Sequence, residues 1–487
     1  MSGAGTRASE ILLGMGWELP FALSPRLQQC SLVALVVLIF LFSISVVPLN
    51  YNVRNLTVRW KTTIMTALAF TAVIGLLTVM LAFVEGMATL IEGSGRPGNI
   101  IILSQGTTDE VFSTLGYADS GDIENQPGIG RWNGKPLCSR ETYLIVNQPV
   151  RILRPGRPER RFLQVRGIED PLISGKVHGL ELYVGGEWFS EAGVEELPAD
   201  PQTGATGIPA IQVVIGEGIA RELGGDRTEA EIAEARNRER LDIGDQFALG
   251  SRTAIVKGVM RSAGTTYGSE IWAKRTVVAP LFGKNAYTSI VAQAGIDEAD
   301  ASLRENPLLK AEAMNASALA LADFFNNDYT KTPLQAQVET DYYKNLSDTN
   351  VQFLYAITFV AAVMAIGGAF GVMNTMFAAV SQRIKDIGVL RLIGFPRWQI
   401  LVSFLLESLV IALVGGILGC VLGSFANGLT ANSIVSGQAG GKLIILKLVI
   451  GPDTIAVGVL LSLAMGGIGG LVPALSAMRL RAIEALR

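Results

Sequence analysis

The chain has 487 residues, 49% hydrophobic and only 17% charged, with a formal net charge of -3 and a mean hydropathy of +0.39; soluble domains carry about 25% charged residues, so part of this length is built for lipid. One histidine, His178, and three separated cysteines, Cys30, Cys138 and Cys420, leave no CxxC pair, HExxH or Cys/His cluster, which excludes the usual zinc, haem and iron–sulfur sites. The charge excludes a broadly basic nucleic-acid binder, so neither nucleic acid nor any cofactor is expected.

Residues 1–28 form an N-terminal segment with balanced charge, in which Ser9 to Phe21 reads either as a short amphipathic helix or as a plain disordered terminus. The apolar run Ser31 to Val47 predicts an extra transmembrane helix over residues 29–48, short because Pro48 ends it. A signal peptide is the rival reading, but the run starts far into the chain and no A-x-A-like site follows. Residues 49–90 then supply an entry segment and a transmembrane helix over Thr62 to Val84. A polar stretch fills residues 91–350. Three further spans follow in residues 351–487: Val351 to Val380, Ile400 to Leu429 and Leu443 to Leu475.

The bias of Lys and Arg toward the cytoplasm orients these spans. Arg54, Arg59 and Lys61 precede the second apolar run without an acid. Arg383, Lys385, Arg391 and Arg397 outweigh Asp386 between the third and fourth runs, and Arg479, Arg481 and Arg487 outweigh Glu484 at the end. All three basic segments fit the cytoplasmic side, which places residues 91–350 outside. If the first run crosses, the N-terminus is outside too.

The polar stretch reads as an α+β domain. Glu141 to Leu153 and Phe162 to Ile168 flank the turn-rich PGRPERR and predict a hairpin. Ile211 to Ile215 leads through Gly216 and Gly218 into a short helix, Ile219 to Leu223, and Gln246 to Leu249 pairs across a Gly-Ser turn with Thr253 to Met260. The IGEG at Ile215 lacks the later glycine of a dinucleotide fingerprint, and no GxxxxGK[ST] occurs, so a P-loop is absent from this sequence. Leu334, Val338, Tyr342 and Leu346 recur at spacing four and predict one face of a helix running into the apolar residues from Val351, a rigid rod; an independent helix kinked near Asn350 is the alternative.

The C-terminal third holds the most specific pattern. Gly371 to Gly394 reads GVMNTMFAAVSQRIKDIGVLRLIG, followed by FPRWQI, an acidic residue Glu407 early in the next span, and a closing LVPALSAMRLRAIEALR. This resembles the FtsX-like permeases of ABC transporters, of MacB and LolC/LolE type. Tyr51 to Met65 is similar to that family's entry to its first span, and Val213 to Met260 to its external domain. The family pattern has four spans and a large extracytoplasmic domain, so the segment before Pro48 is a departure from it.

The resemblance implies a non-catalytic permease subunit in the inner membrane, working as a homodimer or paralogous heterodimer beside a separate ABC ATPase subunit. In members that export small molecules or peptides a periplasmic adaptor takes part; others release lipoproteins. It also implies that Arg383, Lys385, Asp386, Gly388, Arg391, Gly394 and Pro396 couple to the ATPase. On the residues alone, Ile384, Ile387 and Leu390 would form the apolar face pressed on a partner, with basic groups meeting acids or lipid phosphates, while the bland reading is a basic loop that only sets topology. Glu407 is a membrane ion-pair candidate for Arg391 or Arg397. Small residues at Ala361, Ala365, Gly368, Gly371 and at Gly415, Gly416, Gly419 suit close helix packing, including packing in a dimer. The competing function is an FtsX-like signalling protein that regulates a cell-envelope hydrolase; the size of residues 91–350 favours the transporter.

Overall fold

The computed structural model describes residues 24–44, 58, 60–153, 159–197, 207, 209–262, 264–296, 306–346, 348–437 and 440–479. The Ser9 to Phe21 segment, most of the entry segment before Trp60 and the last eight residues lie outside these. In chain order, helices α1 (Pro25–Ile44) and α2 (Trp60–Ser94) lead to β1 (Asn99–Ser104), α3 (Tyr117–Ile123), the short strands β2 (Arg131–Trp132) and β3 (Lys135–Pro136), β4 (Cys138–Pro149), β5 (Arg160–Ile168) and α4 (Pro171–His178). Next come β6 (Val194–Glu196), β7 (Pro209–Gly216), α5 (Glu217–Gly224), α6 (Glu229–Glu234), β8 (Gln246–Leu249), β9 (Arg252–Met260), a 3-10 turn (Thr266–Ser269), β10 (Glu270–Lys274), α7 (Arg275–Leu281) and β11 (Ser289–Gln293). The chain continues through α8 (Pro307–Asp323), β12 (Leu334–Val338), α9 (Glu339–Leu346), α10 (Asp348–Gln382), α11 (Ile384–Ile393), α12 (Arg397–Ser424), the hairpin β13 (Thr430–Gly437) and β14 (Gly440–Lys447), and α13 (Pro452–Arg479). Two compact units result: a helical unit of Met1–Glu85, Phe353–Leu429 and Leu448–Arg487, and a sheet unit of Gly86–Gln352 with Thr430–Lys447.

Four helical stretches in the described residues are long and apolar enough to cross a bilayer: Trp60–Leu90, Tyr355–Gln382, Arg397–Ser424 and Pro452–Arg479. The last differs from the sequence expectation, because Leu443 to Lys447 is strand and the helix starts only at Pro452, whose missing N–H suits a first helical position. The extra N-terminal helix forms, but its apolar stretch Leu27–Leu41 is shorter than the other four. It packs against α12 and α13, and the Ser24 N–H donates to Asp453 Oδ1 at 2.9 Å.

Glycines bring these helices together. A Cβ on Gly419 would sit 2.8 Å from Ile74 Cβ and 2.9 Å from the Thr71 carbonyl, and one on Gly415 would sit 2.6 Å from Phe70 Cβ. The Thr71 hydroxyl crosses the same seam to the Gly415 carbonyl at 3.2 Å. Gly416 meets Ser462 of α13. The second glycine group thus serves packing inside this chain, where backbones approach too closely for any side chain. On α10, Gly368 meets Met465, whereas Gly367 and Gly371 face open space.

The sheet unit is a mixed α+β domain around a ten-stranded sheet of order β12-β1-β11-β4-β5-β10-β7-β9-β8, with β6 added on β7. The expected hairpin is the antiparallel pair β4 and β5, in register from Glu141 opposite Ile168 to Pro149 opposite Arg160. The second expected hairpin is β8 and β9, with Leu249 opposite Arg252. Parallel pairs join β5 to β10 and β7 to β9. One apolar core gathers around β5, β7, β9 and α5, and another around β1, β11, β12 and α8.

The rod expectation is corrected here. Leu334 to Val338 is not helix but strand β12, antiparallel to β1, with Leu334, Ala336 and Val338 buried and Gln335 and Gln337 half-buried. Helix begins only at Glu339, and residue 347, between α9 and α10, lies outside the described residues.

Candidate coupling segment of the helical unit

Between α10 and α12 the chain makes a short helix set off by two sharp breaks. Arg383 leaves helical geometry, with φ -111° and ψ 18°, and Gly394 closes α11 in the left-handed region at φ +109°, a conformation that glycine adopts without Cβ strain. The Gly394 N–H donates to the Arg391 carbonyl at 3.3 Å and the Phe395 N–H to the Leu390 carbonyl at 3.1 Å. Pro396 then caps α12 with φ -68° and ψ 154°. The ring fixes φ and starts the next helix without a wasted donor.

Arg383 and Glu407 form a two-pronged pair. The Arg383 Nη1 donates to Glu407 Oε2 at 2.7 Å and Nη2 to Oε1 at 3.0 Å, with both side chains buried. Phe404 lies beside the guanidinium, 5.7 Å from ring centre to Cζ. This overturns the expected partners of Glu407: Arg391 donates instead to the Met478 carbonyl at 3.5 Å, and Arg397 is exposed. Position decides this, since Arg383 sits at the break between α10 and α11, where its guanidinium reaches Glu407 on α12.

The expected contact face is also turned inward. Ile387 is buried with Ile400, Phe404 and Ala477, Gly388 is buried, and Ile384 and Leu390 are half-buried. The outward face carries Lys385 and Asp386 with Val389, Leu392 and Ile393, the last 69% exposed. Together these make a mixed apolar and charged ledge on a helix fixed at both ends.

A FtsX-like permease C-terminal family model matches residues 358–482, and a MacB-like periplasmic core domain model matches residues 63–306, half of the chain. The chain belongs to the FtsX-like permeases with a MacB-like periplasmic core domain. Among curated relatives, the macrolide export ATP-binding/permease protein MacB of Shewanella oneidensis is 24% identical over 424 residues, covering 84% of this chain and 57% of the relative. The ABC transporter permease YknZ of Bacillus subtilis is 39% identical over 129 residues, 26% of this chain and 30% of that one. The chain therefore spans little more than half the length of these relatives at most. The crystal structure of the periplasmic region of MacB from Actinobacillus actinomycetemcomitans covers 53% of this chain and 96% of its own, at 13% identity and a TM-score of 0.31. This MacB-type permease is a multi-pass membrane protein, a transporter permease by family.

The family motif does not contain the second buried polar cluster, which lies in the periplasmic core domain. Arg166 on β5 is 1% exposed and donates from Nε and Nη2 to both oxygens of Glu270, each at 2.7 Å. Its Nη1 reaches Glu110 at 2.8 Å and also Glu141. Glu141 passes the contact on: its Oε1 lies 2.6 Å from His178 Nε2 and accepts from the Ser139 hydroxyl at 2.6 Å. Burial alone would raise the Glu141 carboxyl, but Arg166 and His178 hold it down at about 2. Burial alone would lower His178, and the Glu141 charge overrides it, raising the imidazole to about 9. The lone histidine, flanked by no recognisable partner in sequence, was the one available signal.

Proposed function

We propose that this chain is the permease subunit of an ABC transporter that couples ATP binding and hydrolysis in a separate ATPase subunit to motion of its periplasmic core domain. The cargo is exported or extracted from the membrane or periplasm, and the location is the inner membrane with the large domain outside. The observation that carries the reading is the α11 ledge of Lys385, Asp386, Val389, Leu392 and Ile393, held by the Arg383–Glu407 pair at one end and the left-handed Gly394 at the other. An apolar ledge ringed by charge is what a protein partner covers. The Shewanella relative is named for both ATP binding and permease activity, which suits an ATPase as that partner. Few charged residues occur in the four spans, so levers fit better than a polar channel.

Function in pairs, identical or paralogous, is part of the same proposal. The α2 and α10 faces line a groove of about 530 Å³ that includes Phe70, Gly367, Gly371 and Asn374, and a second copy's helix would suit it. A periplasmic adaptor would complete the exporting variant.

The test is co-purification of the full chain with its ATPase after Val389→Glu and Leu392→Glu, with Gly388→Leu and Arg391→Glu as companions. Loss of the ATPase and of stimulated turnover is expected. Unchanged association and turnover would refute the reading, and capture of an envelope hydrolase instead would turn it to the signalling alternative.

A further inference from the structure

Within the sheet unit, the chain arriving from α2 and the chain leaving through α9 meet at one side chain. Glu339, first residue of α9 and 1% exposed, accepts from the Arg96 backbone N–H at 3.1 Å and from Asn99 Nδ2 at 2.8 Å, both through Oε2. Arg96 and Asn99 connect α2 to β1. The other oxygen, Oε1, accepts from the Tyr267 hydroxyl at 3.1 Å. The Tyr267 oxygen lies 2.7 Å from His178 Nδ1, and His178 Nε2 lies 2.6 Å from Glu141, which pairs with Arg166. A single line of hydrogen bonds therefore runs from both chain connections to the middle of the sheet.

Neighbouring contacts tighten the same point. The Ser94 hydroxyl, at the end of α2, accepts from the Thr266 N–H at 2.8 Å, and Thr266 adjoins Tyr267. Asn99 Nδ2 also donates to the Val177 carbonyl at 3.0 Å, beside His178. The Arg96 guanidinium lies over Gly179, where φ is +57° and a Cβ would collide with it. Tyr343 of α9 donates to Tyr267 at 3.1 Å.

We infer that Glu339, tied through Tyr267 and His178 to Glu141 and Arg166, is the staple through which displacement of either membrane-connected segment is delivered to the centre of the sheet. The polarity of the line is consistent with this role. A doubly protonated His178 donates to Glu141 from one nitrogen and to Tyr267 from the other, which leaves the Tyr267 proton for Glu339. The imidazolium and Arg166 then stand among Glu110, Glu141, Glu270 and Glu339, all at most 1% exposed. Such a buried and mutually satisfied line resists stretching, because breaking any link strands a charge away from water. Glu339 is a positioning residue here.

This inference rests on the transporter reading, and one experiment separates the two. The full chain with its ATPase is placed in lipid nanodiscs and followed by backbone hydrogen exchange with and without ATP. Glu339→Gln replaces one acceptor oxygen by an amide donor, which must face either the donors of Arg96 and Asn99 or that of the Tyr267 hydroxyl, while Tyr267→Phe removes only the hydroxyl link and guards against a folding failure. Both variants are expected to keep ATP hydrolysis and the exchange protection of the β4–β5 ladder. Exchange at residues 96–99 and 340–343 should rise by about tenfold or more in Glu339→Gln. The ATP-dependent change in the sheet should be lost in both. If both variants keep that change, the staple is wrong and the transporter reading stands. If the wild type shows no ATP-dependent change, the reading fails and the staple with it.

Discussion

Removing the carboxylate of Glu407 should loosen the packing of α11 against α12 more than any single change on the exposed ledge of α11. In Glu407→Gln, Arg383 loses its counter-charge while remaining 7% exposed; the amide oxygen keeps one of the 2.7 and 3.0 Å bonds, and the amide NH2 faces the other guanidinium donor. Breaking one partner of a buried pair costs about 3 to 5 kcal/mol, because the remaining charge is stranded. Arg383 lies at the end of α10, so its long stem can carry the guanidinium toward water and bring the cost to the lower end of that range. The double variant Arg383→Met with Glu407→Leu strands nothing, and apolar replacements of similar volume are often neutral or stabilising. The assay is a double-mutant cycle on unfolding in detergent, read by intrinsic fluorescence, with ATPase stimulation measured alongside. The expected pattern is two damaging single changes, a double change close to wild type in stability, and weakened stimulation in all three. Single variants that unfold within about 0.5 kcal/mol of wild type would refute the claim that this pair holds α11 against α12.

The staple has a pH signature as well. The His178 imidazole is raised from 6.5 to about 9, so it stabilises the folded domain by about 3 kcal/mol below pH 6.5, at 1.36 kcal/mol per unit, and that contribution is lost as pH rises from 6.5 through 9. Glu141, lowered from 4.5 to about 2, contributes above pH 4.5 and loses its share as pH falls toward 2. Thermal melts of the full chain across pH 6 to 10 should decline for the wild type and flatten for His178→Gln; identical profiles would remove His178 from the network. Gly419→Leu should destabilise the helical unit by about 1 to 3 kcal/mol through overpacking, because its side chain would start 2.8 Å from Ile74 Cβ. Gly371→Ala, with nothing within 4 Å, should hold or raise the melting temperature, because Ala is favoured over Gly in a helix interior by about 0.5–1 kcal/mol.

Hydropathy was enough to find the four main apolar helices, because a bilayer demands about 20 apolar residues in a row. The β4–β5 and β8–β9 hairpins were legible for a similar local reason, since alternation and turn residues lie next to one another in the chain. The family too was legible, carried by the IKDIGVLRLIGFPRW run. Spacing-four reasoning failed at Leu334 and Val338 because residues i and i+4 share a face in a strand as well as in a helix; only the pairing of β12 with β1 separates the two. The inward turn of Ile387 and the choice of Arg383 as partner for Glu407 depend on which helices pack beside α11. The sequence alone determined that four long apolar segments flank a polar α+β stretch, and where the two hairpins turn. Tertiary structure decided where buried charge is tolerated: Arg166, Glu141, His178, Tyr267 and Glu339 are scattered over more than 170 residues, and only folding brings each within hydrogen-bond reach of the next. Their meaning is pairwise and long-range, and no periodicity along the chain can encode it.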